Sequence, residues 1–343
     1  MLSDGELTID SAQLKLLEHL DLLHLNLLSE SKRLFTKKNI KGIYIYGEVG
    51  RGKTKIMDIF FKSLKIKEKQ RIHFHRFMKN IHDELKSLSG KKDPISILVK
   101  KLNKKYRVFC LDEFYVEDIG DAMILSRFLD KLFLSGTTLI TTSNSHPDHL
   151  YKDGLHRERF YPTINTIIKN TSIYKLESKQ DYRLRELEKS EIHVLLQEDR
   201  SGNILENNFK ALMHGEEVST NNITILGRSI NTIKKSRGVI WFDFKSICDG
   251  PRSTNDYIEI CKEFHTLFIS NIPILTEDQD NQARRFIALI DECYERNVNL
   301  LLSSQVSILE IYRGSKLSKV FKRTYSRIKE MTSKEYLSRP HLH

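Results

Sequence analysis

Ile43-Tyr44-Ile45-Tyr46-Gly47-Glu48-Val49-Gly50-Arg51-Gly52-Lys53-Thr54 is the stretch from which the rest of the chain can be read. Its first four residues are β-branched or aromatic, suit a short strand, and stop at a glycine. The next eight match G-x-x-x-x-G-K-[ST] at every fixed position, and a helical period resumes at Ile56, Ile59, Phe60 and Leu64. A chance Gly-rich turn would lack that flanking strand and helix. Glycines let the backbone curl so that successive N–H groups converge on phosphate oxygens, at the positive end of the following helix. Gly47, Glu48, Val49, Gly50, Arg51, Gly52, Lys53 and Thr54 are therefore expected to hold a nucleotide, with Lys53 serving the β- and γ-phosphates and Thr54 offering its hydroxyl to Mg²⁺.

A partner motif lies downstream. Val108-Phe109-Cys110-Leu111-Asp112-Glu113 is an apolar run that ends in two carboxylates. In a buried parallel strand Asp112 arrives at the carboxyl end, where it can serve the Mg²⁺ shell as Thr54 does. Glu113, one residue on, can polarise the attacking water as general base. An apolar strand ending in acid is common by itself, and the phosphate loop gives this one its meaning. Leu289-Ile290-Asp291-Glu292 spells nearly the same motif, but Phe286, Leu289, Ile290 and Cys293 recur at helical spacing, so its acids belong to a solvated helix face. Trp241-Phe242-Asp243-Phe244 has no phosphate loop upstream, and Trp241 reads as core. Thr138 to Thr142 leads into Ser143-Asn144, which sets an amide at the end of the next strand to sense the γ-phosphate; a plain turn Asn is the rival reading. Arg157 and Arg159 are candidates for an arginine that reaches a neighbouring subunit's nucleotide, or for surface ion pairs. His73 and His75 alternate in Ile72 to Phe77, read here as a strand, and lack a third metal ligand.

Further strands are expected at Ser172 to Leu176, Val239 to Phe244, Ile272 to Leu275 and Asn299 to Leu302. Helices are expected at Ile9 to Lys32, Met123 to Leu134, Asp256 to Leu267 and Ala283 to Glu295, with a hairpin over Ile223 to Ile233. Alternating strands and helices give an α/β fold: a P-loop NTPase sheet, parallel, with helices on both faces, plus a C-terminal α/β block. The divisions are 1–38 (N-terminal helical segment), 39–178 (nucleotide-binding core), 179–238 (connector and hairpin) and 239–343 (C-terminal block).

The chain has 343 residues and a formal net charge of +11. Its lysine pairs are scattered, with no long like-charge block, so the excess reads as a solvated surface and no stable nucleic-acid partner is expected. The four cysteines show no CxxC pairing, and Cys110 and Cys293 sit in apolar runs, as buried reduced thiols would. No signal peptide and no membrane-length apolar run is visible, so a cytoplasmic protein is expected, with peripheral membrane contact left open.

The chain resembles the ZapE-type cell-division ATPases of bacteria, relatives of the mitochondrial lactation-elevated AAA+ proteins. The likeness is carried by the phosphate loop through Asp58, His73 to Met78, Leu111 to Phe114, Thr142 to Asn144 and Pro147 to Phe160. It continues through Asp181 to Arg185, Ala283 to Glu292 and Glu310 to Gly314. The resemblance implies ATP hydrolysis with Mg²⁺, a homo-oligomer with nucleotide at subunit interfaces, and action on the division protein FtsZ. It implies Asn144 as the sensor and Arg157 as the arginine finger, with Arg284 and Arg285 as further phosphate-sensing candidates. His156 stands where that family usually has Gln. Rival functions are a helicase loader or other nucleic-acid remodeller, and an ATP-dependent chaperone in inner-membrane quality control.

Overall fold

The computed structural model describes residues 11–31, 40–48, 51–177, 182–190, 192–196, 204–213 and 218–342. Val49 and Gly50 of the phosphate loop, Ile9 and Lys32 at the ends of the first expected helix, and Asp181 lie outside the described residues. The chain forms two compact units, residues 1–181 and 182–343.

In the first unit the order is α1 (Ser11–Ser31), β1 (Gly42–Tyr46), α2 (Lys53–Ser63), β2 (Lys69–His73), α3 (Phe74–Ser87) and α4 (Pro94–Asn103). It continues with β3 (Val108–Asp112), α5 (Ile119–Leu134), β4 (Thr138–Ser143), α6 (Tyr161–Asn170) and β5 (Thr171–Lys175). The five strands make one parallel sheet in the order β2-β3-β4-β1-β5. Strand side chains alternate between faces, and both faces are covered. Tyr44, Phe109, Leu111 and Leu139 pack with α3 to α6, whereas Ile43, Ile45, Val108, Cys110 and Ile140 pack with α1 and α2. This double burial is why β1 and β3 read as continuous apolar runs. Helix α1 buries Leu16, Leu20, Leu23 and Leu27, and Leu14 is left exposed.

β1 is bounded by two glycines. A Cβ on Gly42 would lie 1.8 Å from the Leu139 carbonyl oxygen, and one on Gly47 would lie 2.5 Å from that of Leu176. Real Cβ atoms do not approach oxygen so closely, so neither position admits a side chain without moving backbone.

The order places β4 between β1 and β3. The chain therefore delivers the end of β4, Ser143-Asn144, between the phosphate loop after β1 and the acidic pair after β3. Carboxyl ends of parallel strands are where open α/β sheets bind ligands.

The second unit runs α7 (Tyr182–Lys189), β6 (His193–Leu195), α8 (Ile204–Met213), β7 (Ile223–Ile225), β8 (Arg228–Ile230), β9 (Lys234–Ser236) and β10 (Val239–Asp243). It goes on with α9 (Phe244–Cys248), α10 (Thr254–Glu263), β11 (Thr266–Ile272), α11 (Asp280–Glu295), β12 (Asn299–Ser304), α12 (Ser318–Met331) and α13 (Lys334–Leu337). Its main sheet has the order β6-β12-β11-β10-β9, antiparallel only at β9. Ile240, Phe242, Leu267 and Ile269 face α9 to α12, whereas Val239, Trp241, Phe268 and Leu301 face Leu187, Phe209 and Leu337. β7 and β8 form the expected hairpin through Leu226 (φ 47) and Gly227 (φ 78). No helix of the described residues is long and apolar enough to cross a membrane.

Three local expectations are corrected. The strand read over Ile72 to Phe77 ends at His73, and Phe74 opens α3. Phe74, Phe77, Met78 and Ile81 recur at helical spacing and are all buried, so their packing overrides the short alternation. His73 and His75 thus share no strand face. The helix read over Asp256 to Leu267 ends at Glu263, and the strand after it is Thr266–Ile272, not Ile272 to Leu275. Phe264 and Leu267 continue the helical spacing of Ile260, but Leu267, Phe268 and Ile269 fill the sheet core. Leu275 keeps one isolated bridge, to Tyr312.

Candidate nucleotide site

Gly52 enters α2 with φ 84 and gives the helix no side-chain cap. First-turn N–H groups have no partner within their own helix, and the helix dipole adds positive potential there. An anion is the partner that such a terminus favours. Lys53, the first residue of α2, is buried. Its Nζ donates to the Gly47 carbonyl at 2.6 Å, the Glu48 carbonyl at 2.7 Å and Asn144 Oδ1 at 3.1 Å. One ammonium thus ties the phosphate loop to the end of β4, as the strand order allows.

At the end of β3, Asp112 is fully buried. Both of its oxygens accept from Arg71 on β2: Nε donates to Oδ2 at 2.7 Å and Nη2 to Oδ1 at 3.0 Å. The same Nη2 reaches the Thr54 carbonyl at 3.1 Å, and Nη1 pairs with Asp58 on α2. Burial by itself would depress the Arg71 guanidinium, but the charge and hydrogen bonds of Asp112, with Asp58 beside it, outweigh burial and hold it above the usual arginine value.

The chain turns sharply after Asp112. Glu113 takes φ 55, a conformation that costs a non-glycine residue about 1–2 kcal/mol. Its N–H donates to Thr142 Oγ1 at 3.1 Å, and the next N–H, of Phe114, donates to the Thr142 carbonyl at 2.7 Å. Phe114 is driven into an aromatic cluster with Tyr44 and Phe74. That anchoring holds the turn, and the Glu113 side chain stays partly exposed, its Oε2 3.5 Å from His73 Nδ1. On β4, Ser143 Oγ donates to the Phe114 carbonyl at 2.8 Å, and Tyr44 donates to the Ser145 carbonyl at 3.0 Å. Burial pushes the Tyr44 phenol well above its usual range, so it stays a donor. Asn144 itself is exposed at the mouth of this arrangement.

A sequence model of the AFG1-like ATPase family matches residues 1–340. The chain belongs to that family. It is 40% identical over 312 residues to the cell division protein ZapE of Escherichia coli K12, covering 91% of this chain and 83% of that one. It is 33% identical over 276 residues to lactation elevated protein 1 homolog B of Danio rerio, covering 76% of this chain and 55% of the relative. An uncharacterised protein of Schizosaccharomyces pombe is 34% identical over 282 residues, 79% of this chain and 62% of its own.

Within this AFG1-like chain the structure brings together Gly47, Glu48, Lys53, Thr54, Asp112 and Asn144 through the contacts above, with Glu113 next to Asp112. Arg157 is not joined to them. Among the described residues it donates to the Asp148 carbonyl and lies with its guanidinium carbon 5.2 Å from the Tyr161 ring centre. Arg159 is exposed on the same short turn. Arg284 and Arg285 lie on α11 of the second unit, where Arg285 donates to the Cys248 carbonyl at 3.2 Å. Asp291 and Glu292 are on that helix and pair with Arg323, Arg327 and Arg296. Trp241 is buried and donates to Ser270 Oγ at 3.1 Å.

Sequence reading missed Arg71, Asp58 and Thr142. Arg71 carried a local signal: it is a charged residue in the stretch Lys69 to His73, which a parallel neighbour pairs with β3 so that Arg71 stands opposite Cys110 and His73 opposite Asp112. Reading it required the register.

Proposed function

We propose that this chain hydrolyses ATP to ADP and phosphate at the site built from Gly47 to Thr54, Asp112, Glu113 and Asn144. The observation that carries the reading is the Lys53 ammonium, which spans the Gly47 and Glu48 carbonyls and Asn144. It would exchange those partners for phosphate oxygens. The residues suit Mg²⁺ by donor chemistry, since a threonine hydroxyl and an aspartate are hard oxygen ligands that leave room for water and phosphate. Thr54 and Asp112 would hold it, and when bound it would neutralise charge that builds on the phosphates.

Glu113 would accept the proton of the attacking water, held outward by the left-handed turn at its own backbone. Asn144 would orient that water or read the γ-phosphate. Arg157 is proposed to reach the neighbouring subunit's nucleotide in a homo-oligomer, giving up its contacts with Asp148 and Tyr161. We read its role as a cytoplasmic one in which turnover remodels a protein partner, FtsZ, during division; the division part is supported by the E. coli relative, named a cell division protein.

The test is steady-state ATPase activity of purified protein, titrated with FtsZ and separately with DNA. Lys53→Ala should lose nucleotide binding, and Glu113→Gln should bind nucleotide while turnover falls by about 10²-fold or more. Wild-type rates in both variants would sink the site assignment. Stimulation by DNA and not by FtsZ would replace the division reading with a helicase-loader one, which the net charge of +11 would then serve.

A further inference from the structure

Arg71 has the position of a working part, although no motif points to it. Its side chain is 3% exposed and Asp112 is fully buried, while Asp58 is only partly so. One guanidinium therefore answers two carboxylates and also holds the Thr54 carbonyl. Burying an ion pair is a poor way to gain stability, because desolvating the charges offsets most of their attraction. Nor can a lysine do the same task, since only the planar fork reaches both Asp112 oxygens at once.

The placement matters more than the stability. Thr54 and Asp112 are the two residues that supply hard oxygens to the cation in the proposed reading, and Arg71 binds the backbone of one and the carboxylate of the other. With both Asp112 oxygens accepting from Arg71, a cation at that carboxylate has to share its lone pairs with the guanidinium and meets a like charge beside it. We propose that Arg71 is a positioning residue that competes with Mg²⁺ for Asp112. Before nucleotide arrives it keeps the carboxylate aligned and its charge compensated. When Mg·nucleotide binds, Arg71 gives up part of Asp112 and stays held by Asp58 and the Thr54 carbonyl, both on α2. The loss of Arg71 should then have two opposed effects: Mg²⁺ binds more readily, because a competitor and a like charge are gone, while turnover falls, because Asp112 is no longer aligned.

This inference rests on the ATPase reading. It is tested without turnover by titrating Mg²⁺ into protein with a fluorescent ADP analogue, starting from EDTA, for wild type, Arg71→Met and Arg71→Lys. Arg71→Met should lower the Mg²⁺ midpoint by about fivefold or more, the direction that removal of a nearby positive charge dictates. Arg71→Lys keeps the charge but loses the fork, so it covers the case in which Arg71→Met fails to fold. Its midpoint should fall by about twofold or more. Analogue affinity in EDTA should match wild type, and kcat should drop in both variants. A midpoint that is unchanged or raised in the variants that fold, or an equal loss of affinity with and without Mg²⁺, would overturn the proposal and leave Arg71 a structural ion pair. If wild-type protein binds the analogue independently of Mg²⁺ and Lys53→Ala binds it equally well, the ATPase reading fails first and takes this inference with it.

Discussion

The two units contain the same kind of strand end put to different uses. In the first, β3 ends at Asp112, which is buried, gripped by Arg71 and followed by Glu113. In the second, β10 ends at Asp243, whose Oδ1 accepts from the Lys245 N–H at 2.9 Å and caps α9, while Oδ2 accepts from Asn271 at 2.7 Å. The neighbouring strands echo one another too, with Ser143-Asn144 after one and Ser270-Asn271 in the other. Among its described residues, the second unit shows no glycine loop that brings a helix terminus and a lysine to the same edge. An acidic residue at the end of a parallel strand is therefore a position that a fold supplies freely; in the proposed reading, the phosphate loop opposite would turn it into chemistry.

The sharpest way to break that comparison is to neutralise both acids. Asp112→Asn should lower ATP turnover by about 100-fold, as loss of a residue that orients a metal shell does, while Asp243→Asn leaves turnover at the wild-type rate. Equal losses at steady state would show that the second acidic end is also in use. A smaller effect is expected from the second unit's own buried pair. Asp256 is fully buried and accepts from Arg228 at 2.6 Å and from the Ser253 N–H at 2.7 Å. Arg228→Ala should cost about 3 kcal/mol in denaturant unfolding, at the low end for a broken buried pair because Arg228 is partly exposed and Ser253 remains. Nucleotide affinity of the folded protein should not change. If affinity fell with stability, the two units would be coupled more closely than their separate cores imply.

The smallest effect sharpens the contrast by pH. Asp93 caps α4 in the first unit, and hydrogen bonds from Ser96 and Lys131 lower its carboxyl to about 2. A folded value below the unfolded one, near 3.9, means that Asp93 stabilises fully above about pH 4 and loses this contribution as pH falls toward 2. Asp93→Ala should flatten the acid limb of unfolding of the first unit and leave neutral-pH activity alone. An unchanged acid limb would show that other carboxylates dominate it.

What could be read in advance follows from burial. β1 and β3 are covered on both faces, so their apolar runs stand out, and the motifs at their ends come with them. β2 is a sheet edge of five half-buried residues, Lys69-Gln70-Arg71-Ile72-His73, with no such run. Its strand is therefore expected too late along the chain, and Arg71 escapes the motif although it donates to both oxygens of Asp112. The error at β11 has the opposite cause: Phe264 and Leu267 suit a helix and a strand equally, and only the sheet that receives them decides. Lys53 meeting Asn144 was likewise beyond local pattern, since it depends on β4 lying between β1 and β3.

β1 also has a mechanical side. Its two glycines bring it against the Leu139 and Leu176 carbonyls, one near each end, like a bolt seated between two stops. No side chain could stand at either position unless one of those carbonyls retreated. The phosphate loop thus follows a strand packed closely against its neighbours at both ends. In the proposed reading, any adjustment to nucleotide falls first to the side chains that would trade partners there, Lys53 and Arg71.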